Sequence, residues 1–159
     1  ISSVAYLNEN RGSARILNRT VATDNAEAMV KNFSYVIDTA NSSESEIEER
    51  GLVKDSAEIY FLPGMRIDCG SVTAKHSSYT GPLDEEAIFY LLSKGLSKKE
   101  AEYMLLKGFL ALPISIIKED RAKELASTGI CNKLLGKAGI QQIDANLIAW
   151  QDKSKKVLM

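Results

Sequence analysis

Of the 159 residues in this chain only one is a histidine, His76. Imidazole has an ordinary pKa near neutrality and is the commonest protein metal ligand, so a solitary one invites the question of its purpose. Its neighbours Ser77, Ser78 and Tyr79 carry side chains capable of hydrogen bonding, and Asp84 follows eight residues later. That setting suits a ligand or proton carrier, and it equally suits a surface histidine in a loop. Cys69 stands seven residues upstream, at a spacing from His76 that matches no standard metal geometry. A half-buried structural thiol is the expectation there, with a soft ligand as the alternative. With Cys131 it completes the chain's two cysteines, too few for a disulfide framework or a self-contained metal site. The acidic run from Glu44 to Arg50, ESEIEER, lacks the alternating Asp/Asn and the glycine of a calcium loop and reads as a solvated turn. Asp84-Glu85-Glu86 is explained by helix N-terminal electrostatics, with no catalytic pair required.

No G-x-x-x-x-G-K-[ST], G-x-G-x-x-G, G-x-S-x-G or Cys-x-x-Cys occurs, so nucleotide hydrolysis and acyl transfer have no visible machinery. No catalytic residue emerges, and the expectation is that the chain is not an enzyme. A net charge of −1 gives no electrostatic footprint for nucleic acid or an anionic membrane. No apolar run approaches the roughly 18 to 20 residues of a membrane span, and no signal peptide is visible, which points to the cytoplasm. The Asn-x-Ser/Thr sequons at Asn18, Asn32 and Asn41 then read as chance. Because the text opens at Ile1 in mid-pattern, the expectation is a fragment with more of the same architecture upstream.

The elements that must position these residues fall into two parts, 1–82 and 83–159. With 45% hydrophobic and 26% charged residues the composition is that of a globular protein with a real core. Residues 1–82 show short alternating runs, 14–17, 26–30, 57–61 and 65–67, between turn signals that include Asp24-Asn25, Asn41-Ser42-Ser43, Asp55-Ser56 and Pro63-Gly64. The phrase TDNAEAMV at 23–30 recurs as VKDSAEIYF at 53–61, with an echo in RGSARIL at 11–17. A turn followed by alanine, a charge and an apolar residue fits stacked coils of a β-solenoid; an antiparallel sandwich is the alternative.

From Leu83 the period becomes helical. Asp84 is an N-cap, Ile88, Leu91 and Leu92 form an apolar stripe, and Gly95 sits just past the helix end. Ser97 with Glu100 makes a capping box for a second helix faced by Ala101, Met104, Leu105, Gly108 and Phe109, which Pro113 should end or kink. A third helix over 114–128 should close at Gly129, and the basic tail beyond is helical in part.

The stretch from Ala57 to Leu110 resembles the carboxy-terminal part of the SufB/SufD family, core proteins of the SUF iron–sulfur cluster assembly machinery. Pro63, Ile67, Val72, His76 and Gly81 fall in register with that family's strand segment. Leu83, Asp84, Glu85, Phe89, Tyr90, Leu91, Ser93, Gly95, Leu96, Ala101, Gly108 and Phe109 fall in register with its first helices. The resemblance implies the C-terminal coils of a right-handed parallel β-helix followed by a small helical domain. It implies a scaffold subunit that pairs with a SufB-type partner or with itself, and that docks a SufC-type ABC ATPase through its helices, where Leu91, Leu105 and Phe109 are the candidate contacts. It also implies a transient iron–sulfur cluster, with His76 as a candidate ligand at the dimer interface. The SufB branch carries a cysteine 28 residues before this histidine and a glutamate directly after it; here those positions are Glu48 and Ser77, so the chain looks closer to the SufD branch. Two alternatives stand beside this: a dimerisation module without cluster binding, and a β-helix enzyme acting on polysaccharide. The second needs clustered carboxylates on one sheet face, which the acidic positions do not suggest.

Overall fold

A computed structural model of the chain describes residues 1–134. It divides into two compact units, Ile1–Pro82 and Leu83–Met159. The first contains six strands: β1 (Ser2–Leu7), β2 (Ser13–Ala22), β3 (Glu27–Val36), β4 (Ser43–Val53), β5 (Glu58–Ile67) and β6 (Val72–Pro82). The second contains α1 (Glu85–Ser93) and α2 (Lys98–Ser115), with a further helical stretch over 120–134.

The chain alternates between two sheets, β1-β3-β5 and β2-β4-β6, and every pairing is parallel. Antiparallel pairing, the alternative left open by the strand pattern, is therefore excluded for these six strands. Glu27 lies beside Glu58 and Ser13 beside Glu44, so each strand rests on the second strand after it. The recurring phrase is the visible trace of this register: Ala26 and Ala57 close equivalent corners, and the Glu58 amide donates to the Ala26 carbonyl at 2.9 Å. Asp24 and Asp55 both adopt the left-handed conformation, at φ 61° each, and the Ser56 amide donates to the Asp24 carbonyl. Arg11 and Ser42 do the same at the opposite corners, which is why the echo at residue 11 is out of phase: it belongs to the other sheet.

Alternation decides what each strand buries. Val30 and Val36 on β3 and Ile47 on β4 are buried completely or nearly so, each such side chain contributing about 1.5–3 kcal/mol relative to exposure. Asn32, Ser34, Ser43, Ser45 and Glu49 are just as buried, so the interior between the sheets is largely polar. It is knitted by direct bonds, such as the 2.6 Å contact between the Ser34 and Ser45 hydroxyls. The outer face of the first sheet is aromatic: Tyr6 stacks on Tyr35 at 4.8 Å, and Phe33 packs against Tyr35 at 4.5 Å.

Three expectations need correction. The acidic run 44–50 is no turn; it lies within β4, the middle strand of its sheet. Its inward residues Ser45, Ile47 and Glu49 alternate with outward Glu44, Glu46, Glu48 and Arg50, and the polar inward residues hide the period. Pro63-Gly64 does not break the chain but sits within β5, an end strand of its sheet, where a missing amide hydrogen is tolerated. The helical stretch starting at 120 runs through Gly129 to 134 instead of closing there, while the reading of the tail lies outside the described residues.

The helical unit follows its local signals. The Asp84 carboxylate accepts from the Glu86 and Ala87 amides, Ser97 and Glu100 form the reciprocal capping box, and Gly95 takes φ 91°. Pro113 lies inside α2, which extends only to Ser115. The buried face of α2 is Ala101, Tyr103 and Leu106, with Met104 and Leu105 packed beside it and Gly108 exposed.

Candidate functional site

His76 lies on β6, opposite Ile47 of β4. Partners in a parallel ladder share a face, so His76 occupies an inward position, the same face on which Ile47 and Glu49 are buried. It is nonetheless exposed, because β6 is the last strand of its sheet and no further strand of the described residues covers it. The reading of a loop histidine is thus replaced by a histidine on the rim of an interior. Strand β6 positions it, and a chain of three polar side chains runs behind it. His76 Nε2 is 3.2 Å from the Ser78 hydroxyl, Ser78 donates to Glu49 Oε2 at 2.5 Å, and the Asn32 amide donates to Glu49 Oε1 at 2.7 Å. The chain of contacts runs from the exposed rim to a fully buried carboxylate. Glu49 and Asn32 escape sequence reading because a polar residue at an inward position looks the same as one at an outward position. Only the two-residue phase linking 45, 47 and 49 could have revealed it.

Glu48, one residue away, points to the other face of the sheet, where it neighbours Ser77. Three arginines converge on it: Arg19 at 2.6 Å, Arg15 at 3.0 Å and Arg50 at 3.0 Å. The Arg19 hydrogen bond is the largest influence on this carboxyl. With the other guanidinium groups it outweighs the upward push of burial and holds the pKa down at about 2. Glu48 is therefore committed to an ion-pair cluster and stands apart from the His76 face.

Cys69 lies at the corner between β5 and β6, half-buried against Leu7, Val36 and Ala40, with its thiol 3.6 Å from the Ala40 carbonyl. Cys131 is buried in the helical unit, 3.5 Å from the Tyr103 hydroxyl. Among the described residues no group of three His, Cys, Asp or Glu side chains could hold a metal ion. No described helix is long and apolar enough to cross a membrane.

In the helical unit Leu91 is buried with Leu96, Ala101 and Tyr103. Leu105 packs beside that cluster, and Phe109 is half-buried. The large apolar side chains that α1 leaves in the open are Phe89, 73% exposed, Tyr90, 58% exposed, and to a lesser degree Leu92, with the Lys94 ammonium over the Tyr90 ring.

Comparison with known proteins places this geometry. The family model described as SUF system FeS cluster assembly, SufBD core domain, matches residues 1–109. The chain is 26% identical over 136 residues to the iron–sulfur cluster assembly protein SufD of Escherichia coli K12, which covers 84% of this chain and 32% of that protein. It is 33% identical over 110 residues to SufD of Bacillus subtilis 168, covering 65% of this chain and 25% of that protein. A SufBD family protein of Methanothermobacter thermautotrophicus Delta H is 29% identical over 118 residues, covering 73% of this chain and 28% of that protein. The chain thus spans about a third or less of the length of these relatives. With the match running through all six strands and into α2, the chain belongs to the SufB/SufD family of SUF-system iron–sulfur cluster assembly proteins.

Proposed function

We propose that this chain is part of a SufD-like scaffold subunit of a cytoplasmic SUF-type iron–sulfur cluster assembly complex. In this reading residues 1–82 are the closing coils of a right-handed parallel β-helix, which pairs end to end with a SufB-type subunit or a second copy. The iron–sulfur cluster is cargo, held transiently, and the chain itself catalyses nothing. The observation that carries the reading is His76: the sole imidazole of the chain, inward-facing yet exposed on the last strand of its sheet, and braced by Ser78. A histidine so placed contributes one ligand, and a partner meeting the same edge supplies the remainder. A SufC-type ABC ATPase docks on the helical unit, where exposed Phe89 and Tyr90 offer an apolar aromatic contact, Leu105 flanks the core and Phe109 is half-buried. Leu91 supports that surface from within, as a core residue.

Anaerobic reconstitution of the assembled complex with iron and sulfide tests this. His76→Ala should lose most of the cluster absorbance while the subunits stay associated; wild-type occupancy in the variant refutes the ligand role. The second reading, a pairing module without cargo, is favoured by Glu48, which stands where the SufB branch has a cysteine and is engaged by Arg15, Arg19 and Arg50, and that same refuting result would support it. For the ATPase, a folded Phe89→Ala/Tyr90→Ala variant should fail to retain SufC in a pull-down, and undiminished retention rejects the docking surface.

A further inference from the structure

The outward side chains of β1, β3 and β5 make a mainly apolar face that stays open to solvent. Val4, Tyr6, Met29, Tyr60 and Leu62 are each between 45% and 68% exposed, and Phe33 and Tyr35 lie half-buried among them. The register sets them in rows: Met29 beside Tyr60, Val4 beside Phe33, Tyr6 beside Tyr35. Gly64, having no side chain, lets the Phe33 ring lie across β5, which levels the middle of the face. Single exposed apolar residues are ordinary, but a contiguous patch of this kind marks an interaction surface.

Charge gives the face a direction. At one end Glu27 stands directly beside Glu58, where like charges repel, and no cation of the described residues pairs with either carboxylate. The Tyr60 hydroxyl donates to Glu58, and that bond, with the fields of Glu58 and Glu27, raises the phenol pKa above its ordinary value. Exposed Lys31 stands two outward positions further along β3, about 13 Å from that end.

Dimensions select the occupant. Three strands about 4.8 Å apart give a face roughly 14 Å wide, and from Glu27 to Tyr35 it runs about 26 Å, an area of roughly 400 Å². A stable pair of subunits needs about 800 Å² from each, which this face does not supply for a second copy. One α-helix is about 10 Å across and rises about 1.5 Å per residue, so roughly 18 residues fill the length. Helices are also what ordinarily cover the faces of parallel sheets.

We propose that the outer face of the β1-β3-β5 sheet docks an amphipathic helix of about 18 residues from a partner protein. The first turn of that helix carries lysine or arginine, so that its cations and the positive end of its dipole meet Glu27 and Glu58. An acidic side chain about two turns on meets Lys31, and the apolar stripe between them lies on Tyr60, Leu62 and Phe33. This role is independent of the one given to His76.

Two fluorescein-labelled helical peptides of about 18 residues test this on the full chain, both with leucines along one face. The matched peptide has lysines in its first turn and a glutamate about two turns later; the control exchanges those charges. By fluorescence anisotropy the matched peptide should bind about tenfold tighter, and Glu27→Lys/Glu58→Lys should reverse that preference. Tyr60→Ser/Leu62→Ser should weaken both peptides by roughly tenfold with an unchanged circular dichroism spectrum. On the unaltered chain, the matched peptide should shift the Met29, Lys31, Tyr60 and Leu62 amides in a proton–nitrogen spectrum. Equal binding of the two peptides, or shifts confined to residues 83–134, overturns the proposal. So does a dimer of the chain alone, seen by light scattering at micromolar concentration and lost in Tyr60→Ser/Leu62→Ser, since the face then belongs to a second copy.

Discussion

Arg19 reaches from β2 to Glu48 on β4 at 2.6 Å, and its side chain is only 5% exposed. A guanidinium so enclosed is tolerated because its charge is met at close range, and removing either partner leaves the other poorly solvated.

That relationship sets an acid response. Folding lowers the Glu48 pKa from 4.5 to about 2, so the folded state binds fewer protons than the unfolded chain between those values. The stability it contributes is fully present above about 4.5 and is lost as pH falls towards 2. Urea unfolding at a series of pH values should show Glu48→Gln less stable than wild type at neutral pH, with the difference shrinking across that window. A constant difference down to the acid end contradicts the assignment.

Gly64 lies under the ring of Phe33, and a Cβ at position 64 would collide with it. Gly64→Ala should destabilise by about 1–3 kcal/mol as the ring is pushed off its site. In a Phe33→Ala background the same change should cost less than about 0.5 kcal/mol. A double-mutant cycle by denaturant unfolding reads the coupling directly.

Ser34 and Ser45 share one short bond in the interior. Either single change to alanine leaves the other, buried hydroxyl without its partner and should cost about 1–3 kcal/mol. The double alanine variant should cost less than the sum of the two singles. Additive losses in thermal or urea unfolding would show that the hydroxyls find other partners.

Asp84 caps α1 through the Glu86 and Ala87 amides. Asp84→Ala should weaken the helix start by about 1 kcal/mol, and Asp84→Asn should retain most of the cap. Hydrogen exchange is the readout: the Glu86 and Ala87 amides should exchange several-fold faster in the alanine variant only.

The helix starts were legible in the sequence because capping is a local matter, settled within three or four residues; Asp84 and the Ser97–Glu100 pair carry their own geometry. The face of α2 was not, since Tyr103 and Leu106 are chosen by what packs against them and not by the helix itself. Parallel stacking showed through the repeated TDNAEAMV and VKDSAEIYF, whose corners demand the same left-handed aspartate. The middle strand of the second sheet stayed hidden because its inward set includes Ser45 and Glu49, polar residues satisfied by partners far along the chain. His76 was found for its chemistry, while the Ser78, Glu49 and Asn32 behind it depend on a register that no short window of sequence contains.

The spacing of the ladders bears on kinetics. Ser2 meets Lys31 and Glu27 meets Glu58, so strand pairing never reaches beyond the next turn of the chain, and order can spread as a zipper does. Unzipping should begin at an end rung, β1 with β2 or β5 with β6, whose outer edges no described strand covers, so the rim that carries His76 is among the parts that breathe most readily.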